Sequence, residues 1–144
     1  MKRLAALVAV PVLAIAIAGP AEASERRDQK IRHAVTIAVN QTGDPYVYGA
    51  EGPNAFDCSG LLQYSFLKAG LKSVPRTADQ YLQDTRRIPM RNHKRGDLVF
   101  YGNPAFHVAM FVGKGRRVIE AQRTGTNVGV RQMWDAPHTV GTYR

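Results

Sequence analysis

The chain has a single cysteine, Cys58, which follows Asp57 and precedes Ser59-Gly60 where an apolar helical stripe begins. A thiol in the first turn of a helix feels the partial positive charge of the helix terminus and its unpaired backbone N–H groups, and both favour thiolate. The same N–H groups could hold the oxyanion that forms when sulfur attacks a carbonyl. A free cysteine is as readily a small buried hydrophobe, so nucleophilic chemistry needs a base within reach.

Four histidines compete for that role. His33 falls within an amphipathic helix, His93 stands among Arg91, Lys94 and Arg95, and His138 is near the C-terminus. His107 opens the run His-Val-Ala-Met-Phe-Val-Gly directly after Gly102-Asn103-Pro104. It therefore projects from a rigid strand beside a loop and is the best-placed base. A third polar group must fix the imidazole tautomer and orientation. A two-residue turn at Lys114-Gly115 pairs His107 with Gln122 and puts Glu120 diagonal to it on the same face. Either could reach the other ring nitrogen, and the carboxylate would stabilise an imidazolium more than the amide.

The elements that must carry these residues follow from the hydrophobic period. Between Asp28 and Thr42, Ile31, Ala34, Val35, Ala38 and Val39 fall on one helical face, with Gly43 as a stop. Residues 43 to 56 read as a loop rich in Gly and Pro that packs through Tyr46, Tyr48 and Phe56. Asp57 can cap the next helix, whose stripe is Cys58, Leu61, Leu62, Ser65, Phe66 and Ala69, closed by Gly70. Thr77 and Gln80 have the spacing of a capping box, and Arg86 to Arg95 reads as a basic loop. The period then changes to two: Leu98 to Tyr101, His107 to Val112, Arg117 to Ala121 and Val128 to Met133 are strand-like. Helices first and strands after imply an α+β domain, with N-terminal helices packed on a mainly antiparallel sheet.

Composition narrows the classes. The 144 residues are 44% hydrophobic and 22% charged, which excludes a disordered chain. Lys2 and Arg3, the apolar stretch Leu4 to Gly19 and the small-x-small pattern Ala21-Glu22-Ala23 predict a signal peptide over residues 1–23, and so an exported domain over 24–144. The apolar stretch is short for a span, which takes about 20 residues, and Pro11 interrupts it; nothing later could cross a membrane. The whole chain carries +9. Removing the leader takes away Lys2, Arg3 and Glu22, so the excess stays with the domain and predicts attraction to an anionic cell envelope. The lone cysteine cannot close an internal disulfide. The histidines lack zinc-site spacing, no phosphate loop occurs, and the basic residues are not interleaved with aromatics, so no metal, cofactor or nucleic-acid partner is expected. A secreted monomer is the expectation.

Asp44-Pro45-Tyr46-Val47-Tyr48-Gly49, Gly52-Pro53 and Phe56-Asp57-Cys58-Ser59-Gly60-Leu61 resemble the signature of the NlpC/P60 family of papain-like cysteine peptidases. Pro75-Arg76-Thr77, Arg95-Gly96-Asp97-Leu98-Val99-Phe100 and the His107 run follow in that family's order, covering nearly all of residues 24–144. The usual Gly-Gly after the tyrosine is Gly49-Ala50 here. The resemblance implies a papain-like fold and a bacterial cell-wall hydrolase cutting peptidoglycan stem peptides, typically between D-glutamate and diaminopimelate or lysine. Carried over position by position, it makes Cys58 the nucleophile, His107 the general base and acid and Glu120 the orienting group, with Gln122 as contender. Tyr46 becomes an oxyanion or substrate contact, and Asp57 and Ser59 substrate-binding positions. Two other readings remain: an amidase or acyltransferase using the same Cys-His pair, and a non-catalytic cationic wall-binding protein.

Overall fold

The computed structural model describes residues 15–144. The n-region and Pro11 of the expected leader lie outside the described residues. Three helices, α1 (Pro20–Asn40), α2 (Cys58–Lys68) and α3 (Ala78–Asp84), precede a six-stranded sheet. Its strands are β1 (Arg86–Ile88), β2 (Leu98–Gly102), β3 (Ala105–Phe111), β4 (Arg117–Glu120), β5 (Gly129–Gln132) and β6 (Thr139–Thr142), in the order β1-β6-β2-β3-β4-β5. Every pairing is antiparallel, so the α+β class read from the sequence is the architecture found.

Each helix forms for a local reason. Ile31, Ala34, Val35 and Ala38 make the buried face of α1, as the 3.6-residue period requires. The helix starts earlier than expected, at Pro20 rather than near Asp28, and Pro20–Arg27 is exposed. Pro supplies a pre-set φ at a helix start and its missing N–H costs nothing there. Asp57 caps α2 through the Gly60 N–H at 2.6 Å. Thr77 and Gln80 form the anticipated capping box of α3. No described helix is long and apolar enough to cross a membrane.

The period of two divides the sheet between two apolar layers. Leu98, Phe100, Val108, Met110, Ile119 and Ala121 join the helices in the larger core. Val99, Tyr101, Ala109, Phe111, Val118, Met133 and Val140 form a second cluster, against which Ile88, Met90 and Trp134 pack. The basic loop expected over Arg86 to Arg95 is instead partly structured, with β1 and a 3-10 turn at Met90–Asn92. Three exposed or half-exposed residues, Arg-Arg-Ile, carry no local strand signal. They become a strand because β6, itself unanticipated, offers its backbone in the register Arg86↔Thr142 to Ile88↔Val140.

The turn before β2 ties the helices to the sheet. Gly96 N–H donates to Phe111 O at 2.8 Å, and the buried Asp97 carboxylate accepts from Lys94 N–H (2.7 Å), Thr142 Oγ1 (2.6 Å) and the Arg144 guanidinium. Gly96 has φ +91°, and a Cβ there would lie 2.4 Å from Cγ2 of buried Ile31 on α1. Gly96→Ala therefore combines left-handed backbone strain with overpacking and should cost about 2–4 kcal/mol. Denaturant unfolding checks this, the conservative expectation for an innocuous turn being a change below about 0.5 kcal/mol.

Candidate active site

The segment 43–57 is irregular but fixed. Gly43 N–H and Val128 O, Val128 N–H and Asp44 O, and Tyr46 N–H and Thr126 O are joined at 2.8–2.9 Å, so this segment is laced to the chain entering β5. Phe56 is wholly buried and packs edge-on against Tyr64. The segment then delivers Asp57 to the cap of α2 and Cys58 to its first turn. Cys58 is partly exposed. Gly60 N–H is taken by the Asp57 carboxylate and Leu61 N–H by the Asp57 carbonyl, at 2.6 and 3.0 Å. The Cys58 and Ser59 N–H groups have no acceptor within the helix, by their position in its first turn.

Close approach makes this possible. A Cβ at Gly60 would stand 2.1 Å from the Ala50 carbonyl oxygen and 2.9 Å from Asp57 Oδ1. Only a glycine lets the 47–50 turn lie against the start of α2, where Ala50 O accepts from Asp57 N–H at 2.9 Å.

The imidazole arrives from the sheet. His107 is the third residue of β3, not its first, and is 3% exposed; Glu120 ends β4 and is 1% exposed. The register Met110↔Ile119 and Phe111↔Val118 extends to the diagonal foreseen between His107 and Glu120. His107 Nε2 lies 2.7 Å from Glu120 Oε2. No hydrogen bond joins Gln122 to the ring among the described residues. Glu120 Oε1 has no hydrogen-bond partner there either, so His107 is the side-chain donor that this buried carboxylate has.

The Cys58 thiol is close enough to the ring to be the leading influence that raises its pKa. Since Nε2 is taken by Glu120, Nδ1 is the nitrogen left for sulfur. Burial by itself disfavours the imidazolium, but hydrogen bonds to Cys58 and Glu120, and the charges of both, outweigh it. His107 is pushed up from 6.5 to about 9.

Cys58 opens onto a cleft of about 390 Å³ lined also by Tyr46, Tyr48, Gly49, Asp57, Ser59, Arg76, Ala105 and Phe106, among others. Tyr46 is held protonated by burial first and then by the nearby charges of Cys58 and Asp57, so its hydroxyl is a donor. Asp57 and Ser59, expected as substrate contacts, are engaged with each other and with a residue to which sequence reasoning assigned no role. Arg76 forks onto Asp57, with Nη1–Oδ1 3.0 Å and Nη2–Oδ2 2.8 Å, while Nη1 also reaches Ser59 Oγ at 3.0 Å and Nε reaches Glu51 at 2.6 Å. Hydrogen bonding to Asp57 holds Arg76 protonated well above the ordinary range. Its signal was its place in the Pro75-Arg76-Thr77 block ahead of the capping box. Among the described residues, no three His, Cys, Asp or Glu side chains gather where they could hold a metal ion.

Comparison with known proteins places this geometry. Residues 43–141 match the family model described as the NlpC/P60 family. The chain is 44% identical over 93 residues to the probable endopeptidase p60 of Listeria monocytogenes, covering 63% of this chain and 19% of that protein. It is 35% identical over 130 residues to the murein DD-endopeptidase MepH of Escherichia coli K12, covering 80% of this chain and 47% of that protein. The chain thus spans less than half the length of either relative. The solved P60 domain of an antigen from M. avium subspecies paratuberculosis superposes with a TM-score of 0.72 at 29% identity, covering 80% of this chain and 95% of that one. RipD of Mycobacterium tuberculosis, described as a non-catalytic NlpC/p60 domain protein adapted to peptidoglycan binding, superposes with a TM-score of 0.70 at 26% identity, covering 81% and 98%.

Three expectations follow from the geometry. The folded value of His107 lies above its unfolded 6.5, so its contribution to stability is whole below that pH and is lost as pH rises through about 9. Cys58→Ala removes the leading cause of the upward shift. An NMR titration of the His107 ring should move to lower pH in that variant, and no movement would mean that the thiol and imidazole are not coupled. Gly60→Ala should destabilise by about 2–4 kcal/mol because the obstacle is backbone, measurable by thermal or denaturant unfolding.

Proposed function

The chain belongs to the NlpC/P60 family, and from that premise we propose that it is a cysteine endopeptidase cutting peptidoglycan stem peptides outside the cytoplasm. The observation that carries this reading is the buried His107–Glu120 pair, 2.7 Å apart, aimed at a partly exposed Cys58 in an open cleft. An inert cysteine needs no protonated base beside it.

In the mechanism this arrangement supports, the Cys58 thiolate attacks the peptide carbonyl carbon and the carbonyl electron pair moves to oxygen. The Cys58 and Ser59 N–H groups and the Tyr46 hydroxyl are the donors for that oxyanion. As the tetrahedral species collapses, the C–N bond breaks, His107 gives its proton to the leaving amine, and an acyl thioester remains on Cys58. Neutral His107 then takes a proton from water, whose oxygen attacks the thioester and releases the new carboxylate, restoring thiolate and imidazolium. Glu120 holds the ring and stays ionised throughout. Asp57 and Ser59 serve the substrate through Arg76, whose fork they fix at the cleft wall.

We assign the bond between D-glutamate and diaminopimelate or lysine as the target, on the strength of the sequence blocks shared with that family. The name of MepH, a DD-endopeptidase, makes a D,D-cross-link the bond to test beside it. The reading also places residues 1–23 as an export signal and the net positive charge of the domain as its means of staying near an anionic envelope. A non-catalytic wall-binding role is the second reading, because RipD has the same fold and is described as non-catalytic. The Cys58, His107 and Glu120 arrangement favours catalysis over it. An amidase or acyltransferase using the same pair differs only in the acyl group that the cleft admits.

The test is mass analysis of products from intact peptidoglycan and from isolated stem peptides, with native protein and Cys58→Ala. Release of fragments ending at D-glutamate, reduced by about 10³-fold or more in the variant, is the expected outcome. Fragments from D,D-cross-links would reassign the bond, and binding without cleavage would favour the second reading. Activity against pH should be bell-shaped, its alkaline limb falling near pH 9 where His107 loses its proton.

A further inference from the structure

Trp134, the only tryptophan in the chain, lies just beyond β5 and far in sequence from His107 and Cys58. Its indole stacks on the His107 imidazole with centroids 4.5 Å apart and planes 10° apart. The stack is itself held in place. Trp134 N–H donates to Tyr101 Oη at 3.0 Å, the Tyr101 ring lies 4.5 Å from the indole, and the neighbouring Met133 is buried in the outer apolar layer. Phe106, largely exposed at the cleft, extends the stack on the indole at 6.4 Å and 25°.

We propose that Trp134 is a positioning residue for His107, its indole face fixing the imidazole plane so that Nε2 meets Glu120 while Nδ1 faces Cys58. A hydrogen bond to Glu120 alone leaves the ring free to tilt about the Nε2–Oε2 line, and tilting swings Nδ1 away from sulfur. A flat surface against the ring removes that freedom. The carboxylate selects which edge points inward, and the indole selects the plane. The indole face also covers the pair from water and favours the cationic form of the ring over the neutral one. The titratable groups facing His107 are Cys58 from α2, Glu120 from β4 and Tyr101 from β2, the last with its ring centroid 6.0 Å away. His138 lies beyond Tyr101, 6.4 Å from that ring.

The inference rests on the peptidase reading for its consequence but not for its test, because the stack makes the single tryptophan a reporter of the ring beside it. A protonated imidazole in contact with an excited indole accepts an electron and quenches its emission; a neutral imidazole does so far less. The intrinsic fluorescence of the native protein should therefore rise as pH passes about 9, where His107 loses its proton. The midpoint should fall by about one unit in Glu120→Gln, the transition should vanish in His107→Gln, and His138→Asn should leave it in place. In turnover, Trp134→Ala should lower kcat by about 10- to 100-fold with KM nearly unchanged. Its alkaline limb should shift down by about one pH unit, and Trp134→Phe should restore most of the loss. Emission that does not change across the His107 titration, or a folded Trp134→Ala variant with unaltered kcat and pH profile, would overturn the proposal. If the fluorescence transition responds as stated while no stem peptide is cut, the peptidase reading fails and the stack stands.

Discussion

The rest of the site depends on one buried ion pair. His107 and Glu120 are almost wholly removed from water, and an isolated charge of either sign could not be held there. Each makes the other tolerable: the carboxylate has no other side-chain donor, and the imidazole overcomes its burial through Glu120 and Cys58 together. The arrangement costs desolvation and returns directionality. A ring that must keep Nε2 on Glu120 has only Nδ1 to offer the thiol, so tautomer and orientation are settled before any substrate arrives.

A second carboxylate organises the other half. Asp57 caps α2, receives the Gly49 N–H at 3.0 Å, and grips the Arg76 fork. One side chain thereby joins the 43–57 segment, the start of α2 and the approach to α3. Glu120 anchors His107 on the sheet, and Asp57 organises the surroundings of Cys58 on the helices. The two halves share no covalent neighbour. They meet because α2 packs against β3 through the larger core, where Leu61, Leu62, Phe66, Val108 and Met110 are all fully buried.

Much of this was legible before the structure. The helical stripes, the caps at Asp57 and Thr77, and the diagonal from His107 to Glu120 are local patterns, and local patterns are what a sequence displays. The diagonal needed only a turn at Lys114-Gly115 and the alternation of a strand. What escaped was non-local. β1 and β6 exist because they pair with each other across more than fifty residues. Arg76 draws its role from Asp57, nineteen positions away, and Trp134 meets His107 only once β5 is laid beside β4. The early start of α1 at Pro20 was hidden differently, because Pro20–Arg27 buries no face and so shows no stripe.

The contrast between the layers on the two sides of the sheet explains why one strand can serve both packing and chemistry. In β3, Val108 and Met110 point into the core under the helices, while Ala109 and Phe111 belong to the outer layer. His107 follows the parity of the outer pair, which is thinner and is closed by the segment that carries Met133 and Trp134. On the outer side, near the end of the sheet, it finds Glu120 on the adjacent strand, an aromatic cover, and access past Ala105 and Phe106 to the cleft where Cys58 waits. Parity decides which residue of the strand meets Glu120, and the packing of α2 on β3 decides that Cys58 stands beside it.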